Sequence, residues 1–192
     1  AATQGQTVYS FGNMVVSDAM GSWLKCFAAI AVMVTLVYGR PYAAERDMLR
    51  GGELFTLGLF ALLGMFVMIS GNNFLVLYLG LELLTLSSYA LVALRRDSAI
   101  ASEAAMKYFV LGALASGLLL YGLSMLYGAT GSLDITTVFK AVASGQINHK
   151  VLVFADRLVV QLEHCWSLSC ICVAEVESGD MHGEIGVTAG VD

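Results

Sequence analysis

Proline occurs once in this 192-residue chain, histidine three times and cysteine four times, and only 13% of the residues are charged. Each scarcity excludes something. Four cysteines, one of them (Cys26) inside an apolar run, build no disulfide framework. A charged share about half the usual ~25% excludes both intrinsic disorder and a nucleic-acid binder driven by a basic surface. Gly-rich phosphate loops, a C-x-x-C-H heme signature, a nucleophile elbow and cysteines spaced for an iron–sulfur cluster are all missing, so no redox cofactor or soluble-substrate chemistry is visible. The His164, Cys165, Cys170, Cys172 and His182 set near the end lacks the paired spacing of a zinc site, so no metal is expected there. No Lys or Arg precedes Lys25 and the chain starts Ala-Ala-Thr rather than with Met, which gives the expectation of a chain that lacks its true start.

What the chain does have is apolar length. The hydrophobic share is 58%, and about 64% on the count that includes Gly and omits Tyr, against a norm of about 45–50%. The excess collects in runs that predict an all-α integral membrane protein with four transmembrane helices at about 20–38, 53–70, 74–94 and 104–127. Each meets or nearly meets the ~20 residues needed to cross a hydrocarbon core about 30 Å thick. Apolar side chains surround each helix instead of forming a stripe, which favours spans over surface helices.

The loops carry unequal charge. Residues 39–52 hold Arg40, Arg46 and Arg50, residues 70–73 hold no basic group, and residues 95–105 hold Arg95 and Arg96 with Lys107 just beyond. The positive-inside rule therefore makes the first and third loops cytoplasmic, and puts residues 1–19, the 70–73 turn and the segment after Gly128 outside. In the fourth run, Gly112-x-x-x-Ser116 and Ala113-x-x-x-Gly117 set small residues one turn apart, as close helix packing requires.

Glu82 is the leading candidate for chemistry. It lies about 3 Å from mid-membrane, where a carboxylate costs about 2.5–3.5 kcal/mol on insertion scales and marks a proton or ion path by default. A protonated Glu bonded to a neighbouring helix is the plainer alternative. Thr85 and Tyr89 follow on roughly the same face and, with Ser87 and Ser88, either hold water beside it or bond their own preceding carbonyls. Lys107 lies at the cytoplasmic start of the fourth run, four residues after Glu103, so a snorkelling interfacial ion pair competes with a functional role. Its depth differs from that of Glu82 by about 12 Å, which makes a direct Glu82–Lys107 pair unexpected.

Residues Asn73-Phe-Leu-Val-Leu-Tyr-Leu-Gly-Leu-Glu-Leu-Leu-Thr-Leu-Ser-Ser-Tyr-Ala-Leu-Val-Ala93, with Ser102-Glu-Ala-Ala-Met-Lys-Tyr-Phe109 and the helix after it, resemble the subunit N family of bacterial NADH:quinone oxidoreductase, respiratory complex I. The resemblance covers residues 1–154. It implies an antiporter-like membrane subunit of which these are the third to sixth spans, located in the bacterial inner membrane. Its partners would be the lipid bilayer and the other membrane subunits, with no nucleic acid. It implies that Glu82 belongs to a proton half-channel working with a Lys two spans on, and that Lys107 is part of the polar axis. NADH, FMN, iron–sulfur clusters and quinone would belong to the whole complex and none to this chain. A cation/proton antiporter subunit and a non-catalytic scaffold remain as alternatives.

The resemblance stops near Phe154. A seventh span with a Pro-Phe-His-x-Trp-x-Pro-Asp motif should follow, but the chain reads Ala-Asp-Arg-Leu-Val-Val-Gln-Leu-Glu-His-Cys-Trp166 and its single proline is Pro41. Residues 155–192 carry seven acidic residues and one basic, a net of −6, whereas 1–154 sum to +1. The expectation is a partial membrane domain at 1–154 followed by a divergent, irregular tail at 155–192, such as a frameshifted end would give.

Overall fold

Three of the four long helices begin behind a short polar side chain that caps the first turn. In the computed structural model, which describes residues 7–45, 52–94, 97–145 and 153, Asp18 accepts the Gly21 N–H at 2.7 Å and opens helix α1 (Ala19–Tyr38). Asn73 accepts the Leu75 N–H at 2.9 Å before α4 (Phe74–Val92), and Ser98 accepts the Ala101 N–H at 3.3 Å before α5 (Ala99–Thr130). A six-residue α2 (Arg40–Glu45) follows α1, and α3 (Glu53–Ser70) carries Glu53 in its first turn, where the helix dipole favours a negative charge. Gly131, at φ 72°, ends α5 in the left-handed conformation that glycine accepts most cheaply. The sequence gives no expectation of three elements: the short α2, a hairpin of β1 (Val8–Ser10) and β2 (Val15–Ser17), and a short α6 (Ile135–Ala143).

The four expected spans are present in α1, α3, α4 and α5. Three agree with the expected bounds to within two residues. The fourth begins five residues earlier than expected and ends three later, so that its 32 residues run about 48 Å, well beyond a core of about 30 Å. Ser98 is the reason at the first end: its cap starts the helix in polar sequence before the apolar run begins.

In space the spans form a row in which α1 packs on α3, α3 on α4 and α4 on α5. The closest approach joins α3 to α4, where a Cβ added to Gly64 would meet the Gly80 carbonyl at 2.8 Å and one added to Gly80 would meet the Gly64 carbonyl at 3.0 Å. Beside the buried Tyr89, Tyr108, Leu119 and Leu123, much of what lies between the helices is small or polar, including Thr85, Ser87, Ala104, Ala105 and Ala115, while Trp23, Phe27, Leu59, Val110 and Leu114 face out. That inversion of the water-soluble pattern suits a lipid solvent, where small residues let helices approach.

One end of the row is clasped by Asn72. Its side chain donates to the Asn13 carbonyl at 2.9 Å and its N–H to the Met14 carbonyl at 2.9 Å, and its own carbonyl accepts the Ile135 N–H at 3.3 Å. The hairpin, the 71–73 turn and the segment after α5 thus meet at the end expected to face outward. Arg46, Arg50, Arg95 and Arg96, the His164–His182 set and the tail at 155–192 lie outside the described residues.

Candidate functional site

Tyr78, Glu82, Thr85 and Tyr89 recur at steps of four, three and four along α4, which places them on one face of the helix. That face meets α5. At one end of the stripe the Tyr78 and Ser116 hydroxyls are hydrogen bonded at 3.1 Å, and at the other the Tyr89 ring packs between those of Tyr108 and Phe109 with its hydroxyl over Gly112.

Glu82 is half-buried between these two ends. The Thr85 hydroxyl donates to the Glu82 carbonyl at 3.0 Å and reaches the carboxylate Oε2 at 3.5 Å. Ser87 and Ser88 turn inward on their own helix instead, donating to the Leu83 and Leu84 carbonyls at 2.6 and 2.9 Å. Ser87 and Ser88 thus take the backbone role, and Thr85 bonds the Glu82 carbonyl while lying beside its carboxylate.

Lys107 points away from this stripe. Its ammonium lies 2.6 Å from the Glu103 carboxylate, with the two side chains 51% and 65% exposed, and it borders an apolar hollow of about 410 Å³ formed with Met106, Val110 and Leu111. Because Tyr89 touches Tyr108, Glu82 sits about 10 Å along the axis from the level of Lys107. The structure does not bring the two together.

Tyr78 and Ser116 escaped the sequence reading, in which Ser116 figured only as a small packing residue. Their signal was available: Tyr78 precedes Glu82 by four residues and so shares its face. Of the two small-residue pairs forecast on α5, Gly112 and Ser116 do face α4, whereas Ala113 and Gly117 are exposed.

Residues 71–164, which include this whole stripe, match a protein family described as NADH:quinone oxidoreductase/Mrp antiporter, TM. The chain is 80% identical over 159 residues to the NADH-quinone oxidoreductase subunit N of Polaromonas naphthalenivorans, covering 83% of this chain and 32% of that one. Residues 71–164 thus belong to the NADH:quinone oxidoreductase/Mrp antiporter transmembrane family. The subunit N of Cupriavidus taiwanensis is 62% identical over 83% of this chain and 32% of its own. A chain in the structure of respiratory complex I from Thermus thermophilus with bound aureothin superposes at a TM-score of 0.60 and 30% identity, over 81% of this chain and 32% of that one. The chain thus spans about a third of the length of the curated relatives it matches. Family membership and four apolar helices make it a multi-pass protein of the bacterial inner membrane.

Proposed function

We infer that the chain is part of a proton-translocating membrane subunit of an NADH:quinone oxidoreductase, of the subunit N type, and that Glu82 takes up and releases the proton. The observation that carries this reading is a mid-span carboxylate, half-buried on the face of α4 turned to α5 and flanked by hydroxyls, in a chain 80% identical to a subunit N. A carboxylate in lipid is expensive, so its cost is tolerated where protonation and deprotonation serve a task. NADH, FMN, iron–sulfur clusters and quinone are handled by other parts of the complex; this chain contributes a path for protons. Its partners are lipid and the other membrane subunits.

Lys107 is the second group in this reading, an ammonium near the cytoplasmic side held by Glu103 until a change of charge or position in the polar axis releases it. In the 155–192 tail, the part beyond residue 164, where the family match ends, is proposed to be a reading unrelated to the membrane domain; an intact frame across the codon of Phe154, with no seventh-span motif in either shifted frame, would overturn that.

The test is Glu82→Gln in the full-length subunit within its assembled complex. Proton pumping driven by NADH oxidation should fall about tenfold or more, as expected when the one group that exchanges the proton is lost. A pure scaffold predicts no change. A cation/proton antiporter subunit, which the family description also covers, predicts loss of cation-driven proton exchange with no dependence on NADH.

A further inference from the structure

Lys25 is a charge inside a membrane span that the reading of Glu82 leaves unused. It stands about 9 Å in from Ala19 and about 5 Å from the midpoint of α1, deep enough that a lone ammonium is costly in hydrocarbon. Gly21, Lys25, Ala29, Val32 and Leu36 recur along α1 at steps of four, four, three and four and form its less exposed stripe. That stripe faces α3: a Cβ on Gly21 would touch Ile69 at 3.5 Å, and one on Gly58 would meet Leu36 at 3.2 Å. Lys25 is therefore half-buried between two helices, whereas Trp23, Phe27 and Ile30 of the same span face out. At its level α3 offers no polar side chain, since one turn in from Ile69 lies Met65 and every residue between the two is apolar. Outward along the stripe, Gly21 already stands against Ile69, and the Val15–Gly71 bridge covers the end of α3. Asp18, the nearest carboxylate along α1, is about two turns away and accepts the Gly21 N–H at 2.7 Å. Among the described residues no carboxylate lies within ion-pair distance of Lys25.

We propose that Lys25 anchors an interhelical ion pair: a transmembrane helix from the part of the subunit outside this chain lies along the groove between α1 and α3 and sets an Asp or Glu carboxylate against the Lys25 ammonium. The occupant follows from charge and from length. A half-buried cation between apolar helices calls for a carboxylate. The chain spans 32% of its subunit N relatives, which leaves two-thirds of the same subunit to supply one. A lysine that serves only to reach the lipid headgroups is better placed on the lipid-facing side of α1, where its stem runs outward unobstructed. Glu82 faces α5, on the far side of α4, so the pair is independent of its proton exchange.

The experiment uses the full-length subunit in its assembled complex. A membrane-permeant carbodiimide joins an ammonium to a carboxylate held at ion-pair distance, and mass spectrometry of the digest should find Lys25 in amide linkage to one Asp or Glu in another span of the same subunit. Lys25→Met strands that carboxylate, so assembled subunit on native electrophoresis should fall about fivefold or more, while Lys25→Arg stays within about twofold of the parent. Replacing the linked carboxylate by Leu in the Lys25→Met background should bring assembly back to within about twofold, because no charge is then left stranded. A snorkelling lysine predicts the opposite sign: Lys25→Met assembles as well as the parent or better, since a charge has left the hydrocarbon. That result overturns the proposal, as does linkage to Asp18, linkage to a different subunit, or a double variant that fails to recover. Absence of any linkage, with anionic phospholipid that co-purifies with the parent and is lost in Lys25→Met, assigns the ammonium to a lipid phosphate and overturns it equally.

Discussion

The ring of Tyr89 on α4 stands edge-on to the ring of Tyr108 on α5, with centroids 4.7 Å apart and planes at 89°. An edge-to-face pair of this kind contributes about 0.5–1.5 kcal/mol beyond the area it buries. Here it also sets register: it fixes the level at which two long apolar helices meet, and with it the position of the Tyr89 hydroxyl above Gly112. The Tyr78–Ser116 bond at 3.1 Å holds the same interface nearer the opposite end.

Gly112 and Gly117 therefore make a matched pair of tests on one helix. Gly112→Ala should push Tyr89 out of its seat and destabilise the α4–α5 contact by about 1–3 kcal/mol, the usual cost of overpacking. Gly117 faces open space, so Gly117→Ala should leave stability unchanged or raise it by up to about 1 kcal/mol through helix propensity. Thermal inactivation of the assembled complex reads both; equal losses at the two sites would contradict the interface described.

The α3–α4 contact is tighter still and should be less forgiving. Gly64→Ala would bring a methyl group to 2.8 Å from the Gly80 carbonyl and 2.9 Å from the Leu84 nitrogen, backbone atoms that cannot turn aside. The helices must part, and we expect less assembled subunit in the membrane than in Gly117→Ala, measured by immunoblot after native electrophoresis. A normal level would mean that α3 and α4 separate at little cost.

These contacts mark the limit of what the sequence discloses. Four runs of apolar residues are legible because a bilayer fixes the length a helix needs, and Glu82 is legible because a mid-span carboxylate is costly. Thr85 and Tyr89 followed from helical periodicity. Tyr78 did not, although it sits one turn before Glu82, because a Tyr in an apolar span looks like bulk until its hydroxyl is seen to meet Ser116. The Gly64–Gly80 approach joins residues on different helices, and no single-chain spacing rule brings them together. The start of α5 at Ala99 was missed because the apolar run, rather than the Ser98 cap, set the expected boundary.

Asn72 ties three segments together, but only one of its bonds depends on its side chain. Asn72→Ala should remove the bond to the Asn13 carbonyl, about 0.5–1.5 kcal/mol, and keep the backbone bonds to Met14 and Ile135. Hydrogen exchange should then quicken at the Val15–Ser17 strand while α4 stays protected. Unchanged exchange at that strand would show that the backbone bonds suffice to hold the hairpin.

Asp134 gives the outer end a pH dependence of defined sign. Its carboxylate accepts the Thr136 hydroxyl at 2.6 Å, the Thr137 hydroxyl at 2.8 Å and the Thr137 N–H at 3.0 Å, and these bonds hold its carboxyl below the usual aspartate range of about 3.9. Because the ionised form is the one stabilised, the contribution is complete at neutral pH and is lost as the pH falls through the lowered value of the folded state. Protection of the Thr137 and Val138 amides, expressed against an unstructured peptide at the same pH, should hold steady down to about pH 5 and fall below about pH 4. In Asp134→Ala protection at these amides should be low at every pH. Asp134→Asn keeps an N-cap acceptor but no titrating group, so its protection should be flat across the same range. A parallel fall in Asp134→Asn would assign the acid sensitivity of α6 to some other group.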